Sequence, residues 1–274
     1  MNSYVEKIAK KIFINFDKKS FAKFFKFWHP ETATRYLPVV AELKRAKLVN
    51  AKILEIGSGS LGITPYLKRE IDGVDIDFSG PQTNLVNKIN GSATNLPFRK
   101  NSYDVVISVD VLEHLQKEDR ELAIYQMLKV AKMLAIIVVP TGKLSEEQDK
   151  SLYKHYQKVF RDKNQFLEEH VKNGLPAVDQ ILVAIDKSKR LLGKKAHVRS
   201  YPILNLKIRN ILMRTWITKS KFFYYIYLKG YLLLLPILRV ANFGNCYRRV
   251  FVIEFVSLAE DRSSSRRSLP LRAL

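Results

Sequence analysis

Three glycines and two acidic residues are spaced as in a binding site for a nucleotide-containing ligand. Gly57, Gly59 and Gly62 follow a short apolar run at the G-x-G-x-x-G spacing. Glycines at the end of a strand let the backbone turn tightly and direct N–H groups towards a ligand. Asp75 closes a second apolar run after Glu55, and a carboxylate there can accept both hydroxyls of a ribose. Alone, this pattern fits a nicotinamide or flavin dinucleotide equally well.

Short apolar strands alternating with helices must position these residues. The expected strands lie near 52–57, 71–75, 87–91, 103–109 and 133–139. The expected helices lie at about 62–69, in a short piece after Ser79, and at about 118–131. This alternation indicates an α/β fold with a mostly parallel sheet and helices on both faces. Ligands bind outside the carboxyl ends of such strands, so we expect the glycines and Asp75 at one sheet edge.

Further motifs follow in a fixed order along the chain. After E-I-G-S-G at Glu55 come V-D at Asp75, G-S-A-T-N-L-P-F from Gly91, Y-D-V-V from Tyr103 and D-V-L-E-H from Asp110. With these motifs the chain resembles class I S-adenosylmethionine-dependent methyltransferases, specifically the type 11 group, over about residues 50–142. The resemblance implies S-adenosylmethionine as cofactor. It also implies a Rossmann-like sheet of seven strands, the last running antiparallel between the fifth and sixth.

The resemblance also places the cofactor contacts. The expected cofactor-binding residues are Glu55, Gly57, Ser58, Gly59, Gly62, Asp75, Ile76, Ser92, Ala93, Thr94 and Asp110. Ser92 departs from the family pattern, which usually has an aspartate that holds the adenine amino group. Ser92, a neighbouring backbone group or Asn95 has to take over that contact.

Evidence for a catalytic residue is weaker. His114 is a candidate general base, although a structural hydrogen bond is the commoner role for a histidine in this motif. Histidines and glutamates also occur between His155 and His170, but their spacing lacks a second set of metal ligands. No metal site is therefore expected.

Positive charge is concentrated at the two ends of the chain. The net charge of the 274 residues is +21, of which residues 1–50 carry +7, residues 51–198 carry +3 and residues 199–274 carry +11. Basic flanks predict an anionic partner: a membrane surface, a nucleic acid or a phosphorylated substrate. A solvated basic surface is the alternative. The single cysteine, Cys246, and a start without an apolar signal segment predict a cytoplasmic protein.

The composition divides the chain into five segments. They are N-terminal basic and aromatic helices (1–50), a methyltransferase core (51–204) with a polar helical insert (about 143–193), a hydrophobic and basic helical hairpin (205–248), the last core strand (249–258) and a disordered basic tail (259–274). Phe21 to Trp28 forms one aromatic helical face, and a second helix, carrying the weak pocket candidates Arg35 and Tyr36, is expected from Thr32 to Ala46.

The hairpin contains a run of 17 mostly apolar residues, 222–238, interrupted by Lys229, Gly230 and Pro236. A membrane span needs ~20 apolar residues, so a span is not expected. Basic residues flank the run, which suits a membrane interface or a lipid-tailed substrate. A hairpin that caps the substrate site and packs on the domain is the alternative.

The expected reaction is methyl transfer to a small-molecule, glycan or lipid-linked acceptor, at an oxygen atom. The strand end Ser108–Val111 lacks the Asn/Asp-Pro-Pro-Tyr/Phe signature of amino-group methyltransferases, and Cys246 is not placed for methylation of a base carbon. Two alternatives stay open. The charge fits an RNA methyltransferase, and the departure at Ser92 fits a non-catalytic, membrane-peripheral protein with a vestigial fold.

Overall fold

The computed structural model describes residues 27–256. The predicted basic tail and most of the predicted aromatic helix at Phe21–Trp28 lie outside these residues. The strands, in chain order, are β1 (Ile53–Ile56), β2 (Ile71–Asp75), β3 (Val86–Asn90), β4 (Tyr103–Val109), β5 (Ala131–Pro140), β6 (Ala196–Asn205) and β7 (Cys246–Phe255). The helices are α1 (Pro30–Arg45), α2 (Thr64–Leu67), α3 (Lys117–Val130), α4 (Lys143–Phe160), α5 (Gln165–Asn173), α6 (Val178–Leu192), α7 (Leu206–Trp216), α8 (Lys221–Tyr225), a π-helical turn (Ile226–Gly230), α9 (Tyr231–Leu233) and α10 (Leu235–Leu238).

The seven strands form one sheet in the order β3-β2-β1-β4-β5-β7-β6. Neighbours from β3 to β5 pair in parallel, whereas β7 runs antiparallel to both β5 and β6. This arrangement confirms the predicted fold, including the antiparallel last strand. Ile56 is in register with Val74 on one side and with Ser108 on the other. The residues that follow β1, β2 and β4 therefore meet at one edge, where the strand order reverses.

Both faces of the sheet are covered, as the continuous apolar strands require. All four residues of β1 are buried. Side chains of β4 alternate between two cores, so that Val105 and Ile107 pack under α1, α7 and the hairpin while Val106 packs under α3 and α6. The helix that carries Arg35 and Tyr36 is thus fixed against the sheet beside the end of β1.

Two local predictions were wrong. The segment after Ser79 is a turn, because Gly80 and Pro81 disfavour a helix and the Asp77 carboxylate accepts a hydrogen bond from the Ser79 N–H at 2.8 Å. Helix α2 has a single turn instead of the expected eight residues, and it ends at Lys68, whose φ of 59° leaves the helical region.

Helices α4, α5 and α6 lie in the segment predicted as a polar insert. The hairpin segment forms α7 and a broken helical run from α8 to α10, in which Pro236 lies in the first turn of the last piece. One side of this run is buried, through Tyr227, Leu232 and Leu235. Within residues 27–256, no helix combines the length and the apolarity needed to cross a membrane.

Candidate active site

The glycine loop follows β1 and turns with positive φ angles at Gly57, Gly59 and Gly62 (73°, 52° and 50°). A Cβ on Gly57 would lie 2.2 Å from Cγ2 of Val111, so this glycine allows close packing against the end of β4. A Cβ on Gly59 would meet no atom within 4 Å. The middle of the loop therefore faces open space, and its backbone is accessible to a ligand.

Glu55 lies behind this loop and is fully buried. Its carboxylate accepts hydrogen bonds from the Tyr36 hydroxyl and from the Ile63 backbone N–H, each at 2.7 Å. A Cβ on Gly62 would lie only 2.2 Å from Glu55 Oε2, so a side chain there would displace the carboxylate. Burial raises the pKa of Glu55 to about 7, although these two hydrogen bonds favour the ionised form. Glu55 therefore supports the glycine loop from behind.

Asp75 stands at the end of β2, beside the open face of the loop. Its carboxylate accepts hydrogen bonds from the backbone N–H groups of Gly59 at 2.6 Å, Ile76 at 2.7 Å and Asp77 at 3.1 Å. The Ile76 side chain is 76% exposed. A carboxylate next to an exposed apolar side chain suits a ribose joined to an adenine ring, because the acid accepts the hydroxyls and the side chain contacts the ring face.

Residues 92–95 form a tight turn at the same edge. The Ser92 and Thr94 hydroxyls are 2.8 Å apart, and Ser92 Oγ also accepts a hydrogen bond from the Thr94 N–H at 3.2 Å. The Ser92 hydroxyl thus stabilises the turn, while the Asn95 side chain is exposed. Ala93 is buried and anchors the turn on the domain. Of the replacements expected for the family aspartate, Asn95 is the one whose side chain faces solvent.

These groups fit S-adenosylmethionine. The open position at Gly59, the ionisable acceptor Asp75, the exposed Ile76 and the turn at Ala93 lie at one sheet edge, in the order that the motifs imply. Ser58 is buried, and its hydroxyl contacts the Gly59 carbonyl at 3.0 Å, so it shapes the loop.

Asp110, which follows β4, is placed differently from the expectation. Its side chain is buried between two arginines, with Arg35 Nη1 at 2.6 Å and Arg248 Nε at 2.8 Å. Arg248 also pairs with Glu31. Burial opposes ionisation of Asp110, but the two guanidinium groups outweigh it and lower its pKa well below the usual range. Asp110 is therefore the centre of an ion network, and its carboxylate is already occupied in this structure.

A second buried network adjoins the first, with residues from four separate elements. The Asp149 carboxylate contacts His170 Nδ1 at 2.9 Å, the Tyr247 hydroxyl at 2.7 Å and Arg209 Nη2 at 2.8 Å. Burial opposes ionisation of Asp149, but Arg209, His170 and Tyr247 together lower its pKa. Tyr247 lies between the guanidinium groups of Arg209 and Arg248, at 3.2 and 4.8 Å from its ring centroid.

His114 and Glu113 lie beside this second network. His114 Nδ1 is 2.7 Å from Glu169 Oε2, and burial followed by the proximity of His170 lowers the pKa of the His114 imidazole. Glu113 is fully buried, and burial together with Asp110 raises its pKa well above the usual range. Sequence reasoning missed Glu113, Asp149, Arg209, Tyr247 and Arg248, because nothing in their local spacing shows that they meet.

Comparison with known proteins agrees with the geometry. Residues 54–139 match a family model described as a methyltransferase domain. No curated protein matches the chain significantly.

Similar solved structures include the methyltransferase domain of bacterial CtHen1, 16% identical, with a TM-score of 0.49 over 82% of this chain and 99% of that one. A Thermotoga maritima SAM-dependent methyltransferase, described as a possible histamine N-methyltransferase, is 16% identical, with a TM-score of 0.46 over 86% and 96%. Magnesium protoporphyrin IX methyltransferase from Synechocystis PCC 6803 with bound SAH is 14% identical, with a TM-score of 0.48 over 92% and 100%.

The family match covers the strands and loops that build the glycine site and Asp75. The chain therefore contains a methyltransferase domain over residues 54–139, a domain type whose usual cofactor is S-adenosylmethionine.

Proposed function

We propose that this methyltransferase acts in the cytoplasm on an oxygen atom of a lipid-linked acceptor, such as a glycan, presented at an anionic membrane surface. The observation that supports this proposal is the outer side of the hairpin. Its exposed apolar residues are Phe223, Tyr224, Tyr225, Leu233, Leu234, Ile237, Val240 and Phe243. We call these eight residues the apolar outer face.

The apolar outer face has the composition of a membrane-binding surface. Apolar side chains are interspersed with Lys219, Lys221, Lys229 and Arg239, and no acidic residue occurs between Lys207 and Cys246. Cations beside exposed apolar groups favour the headgroup region of an anionic bilayer, where the apolar groups are buried and the cations stay near lipid phosphates. Isolated exposed hydrophobic residues are ordinary on protein surfaces, but this many in one short segment are not.

The hairpin also lies close to the site. The Tyr227 hydroxyl is 3.2 Å from His29 Nδ1, and Tyr227 packs with Leu232 against the core that contains α1. Helix α1 carries Glu31 and Arg35 into the ion network around Asp110. The buried side of the hairpin thus contacts the helix that enters the ion network, which suits an acceptor whose lipid tail stays in the bilayer.

The residues at the site position the reactants. When bound, S-adenosylmethionine supplies a methyl group already activated by its sulfonium. The chain supports the glycine loop through Glu55, offers Asp75 as an acceptor of hydrogen bonds, and surrounds the acceptor side with buried ions that exclude water. Positioning alone can contribute ~7–11 kcal/mol to such a displacement. The chain would hold an acceptor hydroxyl in line with the methyl group that the bound cofactor supplies, and that hydroxyl would give up its proton.

The state of the cysteine counts against one alternative acceptor, a nucleobase carbon. Burial raises the pKa of the Cys246 thiol, which disfavours the thiolate needed for attack on a nucleobase carbon. The Cys246 sulfur contacts the Phe243 carbonyl at 3.7 Å, so it is held at the base of the hairpin. Methylation of a base carbon through a covalent cysteine adduct is therefore disfavoured.

Vesicle binding tests the membrane part of this proposal. We expect the protein to sediment with phosphatidylglycerol vesicles at low salt, and Ile237→Asp to weaken binding by ~10-fold, because one buried apolar side chain contributes about 1.5 kcal/mol or more. Val183→Asp is the matched control, since Val183 and Ile237 are both 64% exposed but Val183 lies on α6. Methylation of lipid-linked glycans by the same proteins would identify the acceptor.

Equal sedimentation of Ile237→Asp and Val183→Asp would contradict a role for the apolar outer face. Failure of the wild type to bind anionic vesicles would contradict the membrane proposal altogether. Retention on RNA with a steep salt dependence, in the absence of vesicle binding, would instead favour RNA as the anionic partner.

A further inference from the structure

Three side chains that the cofactor site does not use converge beside it. One ligand atom each from Glu113, His114 and His170 lie within 4.8 Å of one another. His170 Nε2 and Glu113 Oε1 are 4.0 Å apart. Two ligands of one ion, each about 2.1 Å from it, are separated by at most about 4.2 Å. The 4.0 Å separation of His170 Nε2 and Glu113 Oε1 is therefore that of two groups around a shared ion, and not that of a direct hydrogen bond.

Three of the atoms at this cluster, from Glu113 and His170, have no hydrogen-bond partner in the part of the chain that the structure describes. Both carboxylate oxygens of Glu113 are buried without a hydrogen bond from another residue, and so is His170 Nε2. Glu113 is 0% exposed and the His170 side chain 9%. Buried polar atoms without partners cost free energy, and native structures seldom leave three of them in one place without a ligand.

Each imidazole is oriented by a separate carboxylate. Glu169 contacts His114 at Nδ1, and Asp149 contacts His170 at Nδ1. A carboxylate at Nδ1 holds the proton there and leaves the lone pair on Nε2, which is how histidines that bind metals are oriented. Both histidines of the cluster have this arrangement, although they come from different elements.

The surrounding backbone fixes the three residues relative to one another. Asn173, at the end of α5, donates a hydrogen bond to the His114 carbonyl at 2.9 Å. Arg120 from α3 donates to the carbonyls of Asn173 and Gly174 at 3.1 and 2.5 Å. The helix that carries His170 is thereby joined to the loop that carries Glu113 and His114.

We propose that Glu113, His114 and His170 bind one divalent first-row transition-metal ion at the acceptor side of the site. Two imidazoles and one carboxylate bind Zn²⁺ or Fe²⁺ in other proteins and leave further positions on the ion for water or substrate. This inference replaces the expectation that the chain has no metal site. It also assigns His114 to metal binding in place of the predicted general base.

The cluster lies close to the cofactor loop, so an ion bound there could contact the acceptor. Glu113 and His114 follow Val111, which packs against Gly57 of the cofactor loop. An ion there would bind the acceptor oxygen and lower the pKa of its hydroxyl. This role rests on the proposed oxygen acceptor, whereas metal binding itself does not.

Metal binding is tested directly, without acceptor or cofactor. The full-length protein, treated with chelator and dialysed, is titrated with Co²⁺ and followed by visible absorption, with Zn²⁺ as competitor. We expect one ion per chain, with an absorption spectrum of nitrogen and oxygen ligands. Glu113→Gln and His170→Asn should weaken binding by more than ~100-fold, and Glu169→Gln, which alters only the orientation of His114, by ~10-fold.

The matched control is His197→Ala, because His197 is an exposed histidine on β6; its Co²⁺ affinity should equal that of the wild type. Glu113→Gln preserves the shape of the side chain, so its thermal unfolding midpoint without metal reports whether the fold is kept. Zn²⁺ should raise that midpoint in the wild type and not in Glu113→Gln.

Absence of Co²⁺ binding to the wild type would overturn the proposal, and so would equal binding by wild type, Glu113→Gln and His170→Asn. One Co²⁺ ion bound at the cluster, together with methylation that proceeds unchanged in Glu113→Gln, would keep the metal site and contradict its role on the acceptor oxygen. Metal binding without methylation of any lipid-linked acceptor would count against the proposed function alone.

Discussion

Two regions of this sheet edge are built in opposite ways: the glycine loop with Asp75, which is the proposed cofactor side, and the ion networks of Asp110 and Asp149, which are the proposed acceptor side. The cofactor side is made by backbone: positive φ angles at Gly57 and Gly59, and N–H groups directed at Asp75. The acceptor side is made by side chains, with buried ion pairs around Asp110 and Asp149. One side presents accessible hydrogen-bonding groups to a ligand that every member of the class shares. The other is filled with charges whose arrangement can differ between acceptors.

The energetic consequences differ as well. A glycine loop stabilised by hydrogen bonds tolerates loss of a single contact, because water can replace the missing partner near the surface. A buried ion pair does not, because removal of one partner leaves an uncompensated charge. Substitutions on the acceptor side should therefore lower the free energy of unfolding more. Substitutions on the cofactor side should mainly weaken cofactor binding.

The largest expected effect is on stability and comes from the acceptor side. Arg248→Ala leaves Asp110 and Glu31 buried with only Arg35 as a cation, which should cost ~3–5 kcal/mol of unfolding free energy. Arg249→Ala is the matched control, because the Arg249 side chain, next along the strand, donates a hydrogen bond to Ser200 Oγ at 3.0 Å and joins neither ion network. It should cost less than ~1 kcal/mol. Urea unfolding of both variants measures the difference. If both variants lose a similarly small amount of unfolding free energy, the ion pairs of Arg248 do not stabilise the fold.

This contrast also explains what the sequence could predict. The seven-stranded sheet and its antiparallel last strand were predicted correctly, and the strands that end at Glu55–Ile56 and Asp75 lie where they were expected, because their apolar runs and turn residues form one contiguous stretch with a recognisable spacing. Asp110 was recognised at its strand end, but not its partners: Arg35 lies 75 residues before it and Arg248 lies 138 residues after it. Such contacts depend on tertiary packing, and a single sequence has no local pattern that records them.

The metal candidates illustrate the same limit more sharply. Glu113 and His114 are adjacent, and His170 was considered as a ligand, but the three could be joined only after α5 was seen to pack against the loop that follows β4. The charge pattern predicts an anionic partner for the basic flanks, and this stays a prediction. The pattern could not show that the hairpin has a buried side at Tyr227 and an exposed side at Ile237, since both sides are apolar.

A smaller effect on stability is expected from a change of pH. Its sign differs between Glu55, the buried carboxylate of the cofactor side, and Asp110, which lies in an ion network. The pKa of Glu55 is about 7 in the folded chain and near 4.5 ordinarily. Between these values the folded state binds more protons than the unfolded state, so stability falls as pH rises, by about 3 kcal/mol in all. Asp110 behaves oppositely: its lowered pKa adds stability at neutral pH that is lost only in acid.

Glu55→Gln should remove the loss of stability between about pH 4.5 and pH 7, because glutamine cannot ionise. Glu70→Gln, at an exposed glutamate of the same segment, should leave the wild-type profile unchanged. Thermal or urea unfolding across this range provides the comparison. A profile of Glu55→Gln that parallels the wild type would show that Glu55 is ionised in the folded protein, stabilised by Tyr36 and Ile63.

Asp75 should give the smallest change in free energy. The change is in the free energy of ligand binding, and it is specific to the cofactor side. Asp75→Ala should weaken S-adenosylhomocysteine binding by ~10- to 100-fold, since hydrogen bonds to a charged group contribute about 1.5–3 kcal/mol. Asp77→Ala is the control, because the Asp77 carboxylate contacts Ser79. Calorimetric titration, with NADH as a second ligand, measures the change and excludes a dinucleotide site.

Asp75→Asn sharpens the comparison, because asparagine keeps an acceptor for the Gly59 N–H but loses the charge. If the carboxylate acts on the ribose hydroxyls, this variant should bind more weakly than the wild type and more tightly than Asp75→Ala. If it acts only by ordering the glycine loop, Asp75→Asn should bind like the wild type. Failure of the wild type to bind S-adenosylhomocysteine at all would make the turn at Ser92 the point at which the cofactor side has lost its function, and the acceptor side would then be a preserved scaffold.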